Sequence, residues 1–148
     1  MILFLETSCL VKLYVREEDS ESIAKSVEAA AVVATSIVAY AEARAAFARK
    51  FREKGLSRAD FEAVKKALDA DWPRFFVLNL NPLTAKSAGD LAEKHALRGF
   101  DALHLASALS LRSISGDAVL RFVTADTRLQ RAARLEGLET ARTEGRIL

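Results

Sequence analysis

The sequence predicts an α/β fold in which a central, mostly parallel sheet of four to five strands is flanked by helices. Three observations lead there. Short apolar runs rich in β-branched and aromatic residues alternate with longer segments of helical periodicity. No two strand-like runs are joined by a hairpin turn, so each strand is followed by a crossover, which makes neighbouring strands parallel. The first run, Ile2-Leu3-Phe4-Leu5, is apolar at every position, as a strand buried on both faces requires.

At 148 residues the chain has the length of one domain, residues 1–148, with room for a core that needs neither disulfides nor a structural metal. A content of 51% hydrophobic and 28% charged residues argues against disorder, and the abundance of alanine favours helix. The formal net charge of +2 is too small to make the whole molecule a polyanion binder, so any contact with nucleic acid has to come from local clusters of Arg and Lys. The single cysteine, Cys9, excludes an internal disulfide and a cysteine-based zinc site, and is expected in the core. No apolar run approaches the roughly 20 residues of a membrane span. The N-terminus shows no basic region or cleavage site, so a soluble cytoplasmic protein is expected.

Each element has its own local reason. After the first strand, Thr7 and Ser8 are helix-capping residues for a short helix to about Arg16, and the acidic stretch Glu17 to Ser20 caps another to about Ala29. Ala31 to Thr35 reads as the second strand, and Ser36 as the cap of a long helix from about Ile37 to Lys54, stopped by Gly55. Ser57 with Asp60 resembles a capping box for a helix to about Ala70, which Trp72-Pro73 ends. Phe75 to Leu80 is the third strand. Asn81-Pro82 then opens a helix to about Leu97, with Gly99 as its stop, and Asp101 begins the next, to about Leu111. Val119 to Thr124 is the fourth strand, Arg128 to Leu135 a helix stopped by Gly137, and Leu138 to Ala141 a short edge strand.

Four carboxylates fall at related places. Glu6 follows the first strand, Asp126 follows the fourth, Asp101 stands at a helix start, and Glu42 lies in the first turns of the helix after strand two. Singly, Asp101 and Asp126 read equally well as N-caps. Glu42 is more telling: its helical neighbours Val38, Ala39, Ala45 and Ala46 are apolar, so it either reaches a cleft or binds a cation. In a parallel sheet all four points gather on one edge, where ligands bind. Carboxylates so gathered repel one another unless a cation is present, and an all-oxygen donor set selects a hard ion, Mg²⁺ or Mn²⁺. Such a set suits metal-assisted hydrolysis of a phosphodiester. A phosphatase lacks support, because no Asp-x-Asp motif or phosphate-cradling glycine loop is visible.

The ordered set resembles the PIN-domain ribonucleases, especially the VapC-type toxins of toxin–antitoxin pairs. The likeness rests on Phe4-Leu5-Glu6-Thr7-Ser8, Ser36 to Glu42, Asp101-Ala102-Leu103-His104-Leu105-Ala106, and Val123-Thr124-Ala125-Asp126. It implies a three-layer PIN-like domain that binds Mg²⁺ or Mn²⁺, cleaves RNA, forms a homodimer and is held inactive by a cognate antitoxin. It further implies that Glu6, Glu42, Asp101 and Asp126 are the metal-binding and catalytic acids, with Thr7 and Thr124 as auxiliary polar residues.

Glu6 departs from the pattern, because members of this family carry Asp there. The added methylene extends the reach by about an ångström, a misplacement that can cost about a hundredfold in rate. The expectation is therefore a metal-dependent endoribonuclease toxin with activity lowered by Glu6. The alternative is a catalytically weak PIN-like module that acts mainly by binding antitoxin or RNA. His104, one turn after Asp101, reads as a packed residue ahead of one that orients that carboxylate. Arg128, Arg131 and Arg134 recur at intervals of three beside Asp126, and the first two, with Arg44, are the expected RNA contacts. The cluster Arg44, Arg49, Lys50, Arg52, Lys54 and Arg58 reads as either a solvated face or a phosphate-contacting one.

Overall fold

The computed structural model describes residues 1–141. Its centre is β1, Ile2–Leu5, in which Leu3 and Leu5 point to one side of the sheet and Phe4 to the other, all three fully buried. A strand covered on both faces can be apolar throughout, which is why this run shows no alternation. Four further strands join it: β2 (Val32–Ser36), β3 (Phe76–Leu78), β4 (Leu120–Val123) and β5 (Glu139–Thr140). Their order is β3-β2-β1-β4-β5 and every pairing is parallel.

Seven helices cover the sheet: α1 (Thr7–Val11), α2 (Ser20–Ala29), α3 (Val38–Arg52), α4 (Arg58–Asp71), α5 (Pro82–His95), α6 (Gly99–Ile114) and α7 (Thr127–Leu135). Leu3, Leu5 and Val123 pack with α1 to α4, around Cys9, Leu10, Phe47 and Leu68. Phe4 and Phe122 pack with α5, α6 and α7, around Leu91, Leu105 and Leu129. The two phenylalanines are register partners, stacked at 5.5 Å between ring centroids. The expected three layers are present, with one core on each face of the sheet.

The chain leaves β1 toward β2 on one side and leaves β4 toward β5 on the other. The strand order therefore reverses between β1 and β4, the kind of point where parallel sheets open a crevice at their carboxyl ends.

Several boundaries differ from the sequence expectation. The first helix ends at Val11 instead of near Arg16, and the chain continues in turns whose Val15 is buried. Ser36 belongs to β2; its hydroxyl accepts from the Val38 amide at 3.4 Å, but Ile37 holds the cap position of α3. Helix α5 stops at His95, because Ala96 adopts a left-handed conformation with φ of 52° and turns Leu97 into the core, so Gly99 begins α6 rather than ending α5. Asp101 is the third residue of α6, whose cap position is Arg98, and α6 runs on to Ile114. By contrast Ser57, Asn81 and Asp126 each accept the expected capping hydrogen bond.

At the end of α7, Gly137 has φ of 81°; its amide donates to Arg134 and that of Leu138 to Ala133, closing the last turn. These two left-handed positions give opposite expectations. Ala96→Gly, at an exposed residue, should raise stability by about 1 kcal/mol, whereas Gly137→Ala should lower it by about the same. Urea denaturation of the two variants against the parent checks both signs.

Candidate active site

The site begins at the turn between β1 and α1. Glu6 caps α1: its Oε2 accepts from the Ser8 amide and the Ser8 hydroxyl, and from the Thr124 hydroxyl at 2.8 Å. Glu is not a favoured cap residue, and here its extra methylene lets it curl back over its own helix start. The Ser8 hydroxyl in turn accepts from the Ala125 amide at 3.0 Å, and that of Thr124 accepts from the Asp126 amide at 3.1 Å. The first carboxylate and the loop that carries the last are thereby one hydrogen-bonded unit, although only 6% of Glu6 is exposed.

Thr7 serves the other side. Its hydroxyl donates to Glu42 Oε1 at 2.7 Å, and His104 Nε2 lies 2.6 Å from the same oxygen and 3.1 Å from the Thr7 hydroxyl oxygen. The threonine has one proton and gives it to Glu42, so toward His104 it can act as an acceptor. Nε2 must therefore carry a proton that both oxygens share. Nδ1 is buried without a partner among the described residues. Burial pushes the Glu42 carboxyl up, but the His104 and Thr7 hydrogen bonds, with the charges of His104 and Arg98, outweigh it and hold it below the ordinary glutamate range. His104 is packed, edge-on to Phe4 and fully buried, and the carboxylate it orients is Glu42, not Asp101.

Asp101 Oδ2 accepts from Arg98 Nε at 3.1 Å, across one helical turn. Asp126 Oδ1 caps α7 through the Leu129 amide at 2.8 Å. Each carboxylate thus gives one oxygen to the scaffold. Glu6 Oε1, Glu42 Oε2, Asp101 Oδ1 and Asp126 Oδ2 have no hydrogen-bond partner among the described residues. In donor chemistry this all-oxygen set fits a hard divalent cation. Yet among the described residues no three Asp, Glu, His or Cys side chains stand close enough together to form a ready metal cage. The guanidinium of Arg98 is set beside the acids, held charged first by its Asp101 hydrogen bond and charge, with Asp126 and Glu6 adding to it.

The other arginines are placed differently from one another. Arg44 donates to the Tyr40 hydroxyl and lies over that ring, away from Glu42. Arg128 donates to the Ala96 carbonyl at 3.3 Å, and Arg134 to Thr140 at 2.7 Å, while Arg131 is exposed on α7. Much of the basic cluster near the end of α3 is engaged within the protein: Arg49 with Glu53, Lys50 with Glu17, and Arg58 over Phe51. Cys9 is a core residue whose thiol is pushed up to about 12 by burial and by the Glu6 charge, so it has no reactivity to offer. Arg98 is the site residue that the sequence left unremarked, and its i,i+3 spacing to Asp101 was the available signal.

Residues 3–135 match the PIN domain family. Ribonuclease VapC45 of Mycobacterium tuberculosis is 31% identical over 140 residues, which cover 95% of this chain and 94% of that protein. The fold is similar to that of FitAcB from Neisseria gonorrhoeae, with a TM-score of 0.71 at 19% identity, over 97% of this chain and 98% of that one. It is also similar to a chain of a toxin–antitoxin complex from Klebsiella pneumoniae, with a TM-score of 0.61 at 19% identity, over 84% of this chain and 87% of that one.

The proton assignment at His104 has a direct test. A long-range ¹⁵N spectrum of the ring should show a proton on Nε2. His104→Gln, which places an amide near Nε2, should retain about 1 kcal/mol more stability than His104→Asn, which places one near Nδ1. Equal losses would count against the hydrogen bond to Glu42.

Proposed function

The chain belongs to the PIN domain family, and from that premise we propose that it is an endoribonuclease toxin whose activity a cognate antitoxin restrains. The observation that carries this reading is the set of four carboxylates, each anchored through one oxygen and free at the other, beside the point where the strand order reverses. The ribonuclease relative and the toxin–antitoxin neighbour support it.

In this reading Glu6, Asp101 and Asp126 are the residues that would close on Mg²⁺ or Mn²⁺, since they do not stand as a preformed cage among the described residues. The ion, when bound, acidifies a water and offsets charge on the phosphoryl oxygens. Glu42 stays ionised at neutral pH, and its unpartnered Oε2 is the oxygen left to accept a proton from the attacking water. Thr7 and His104 hold that carboxylate in one orientation, and Thr124 ties Glu6 to the Asp126 loop. Arg128 and Arg131, exposed on α7, are phosphate-backbone contacts; Arg44, committed to Tyr40, is the weakest of the three.

Cleavage of transfer or structured RNA in Mn²⁺ should cease on adding EDTA; cleavage that persists would sink the proposal. Glu6→Asp should cleave faster, by up to about a hundredfold, with an unchanged circular dichroism spectrum. The weak-module alternative, which Glu6 favours, would instead show antitoxin or RNA binding and no measurable turnover in the parent chain. Because Glu42 is held low, the acid limb of the pH–rate profile should lie below the ordinary glutamate range, and Thr7→Val should move it up.

The toxin reading includes a homodimer. Light scattering after size exclusion should give twice the chain mass at micromolar concentration, and a monomer under those conditions would remove the dimer from it.

A further inference from the structure

Arg98 stands immediately before α6, with its side chain 82% exposed. It uses Nε for the bond to Asp101 at 3.1 Å, and neither Nη nitrogen has a partner among the described residues. Its charge bears on all four acids, since Asp101, Asp126 and Glu6 act on it and it acts on Glu42. Two residues on is Phe100, 56% exposed and in contact with no other aromatic ring among the described residues. Between them Gly99 has open space where a side chain would be.

A polyanion approaching this edge meets four negative charges, so at least one of its phosphates needs a cation from the protein. Arg128 has one Nη nitrogen on a carbonyl, Arg131 is exposed further along α7, and Arg44 lies on Tyr40. Arg98 stands at the acidic edge with both Nη nitrogens unpartnered among the described residues, and a guanidinium fork suits phosphate. An exposed ring beside it is what an unstacked base seeks. Resting on the nuclease reading above, we propose that Arg98 and Phe100 hold the RNA strand, the free Nη nitrogens of Arg98 on a phosphate and the ring of Phe100 against a base. The pair selects single-stranded over double-stranded RNA, because paired bases are not available to stack.

The test measures binding apart from turnover. Fluorescence anisotropy with a labelled single-stranded RNA in EDTA should give about tenfold weaker binding for Arg98→Ala, and a log–log salt dependence shallower by about one contact. Arg98→Lys should recover the salt slope but not the full affinity. Phe100→Ala should weaken binding about tenfold without changing the slope, and Phe100→Leu should not restore it. Lys25→Ala, an equal loss of charge on exposed α2, should change neither quantity.

Unchanged affinity and slope in Arg98→Ala, with tighter Mn²⁺ binding by calorimetry, would overturn the proposal and make Arg98 a neutraliser of the acidic edge. Equal binding of duplex RNA would overturn the role of Phe100. A parent chain that cleaves RNA with a KM unaffected by Arg98→Ala leaves the nuclease reading standing and removes this contact. One that binds with the expected variant pattern but never cleaves does the reverse.

Discussion

The hydroxyl of Thr7 has a single proton, and Glu42 takes it. From that one donation the orientation of His104 follows, because the ring can approach the same two oxygens only with a proton on Nε2. Glu42 is then held by two donors from two other helices, α1 and α6, and keeps its second oxygen free. The residue before Thr7 does the same for the opposite flank, binding Ser8 and Thr124 and so fixing the loop of Asp126. A three-residue turn at the end of the central strand thus sets the attitude of three carboxylates, two of which lie far away along the chain.

Such an arrangement is costly to build. Glu6 and His104 are buried polar groups, and each must find donors or acceptors inside the protein to offset lost hydration. Glu6 is supplied fully on Oε2, while His104 is supplied on one nitrogen and has no partner on the other among the described residues. What the protein gains is a fixed orientation for Glu6 and Glu42, each with a second oxygen that has no partner among the described residues. Arg98 is the exception, an exposed side chain whose pairing with Asp101 is screened by solvent.

The first strand was legible because a strand covered on both faces is written as an unbroken apolar run, and Glu6 and Asp126 because they follow strands. Glu42 gave the best warning of tertiary structure. Its helix offered no cation, and its partners proved to lie 35 and 62 residues away. Those partners were not readable, since sequence spacing reports neighbours within a helix and says nothing of what another helix brings. Ala96 hid the end of α5 for a similar reason. A left-handed alanine is disfavoured, so Gly99 looked the better stop until packing of Leu97 decided otherwise. Asp126 caps α7, as its place before that helix predicts, and stands just past the end of β4.

The pairing of β1 with β4 also orders events in time. Glu6 waits for Thr124, 118 residues later in the chain, and no earlier segment offers it the same bond. During synthesis the first three strands and their helices can assemble as the chain leaves the ribosome. The acidic edge is completed only when β4 and the start of α7 have emerged. A nascent chain is therefore without its assembled site for most of its translation, and any fragment that ends before residue 124 lacks the bond from Thr124 that fixes its first carboxylate.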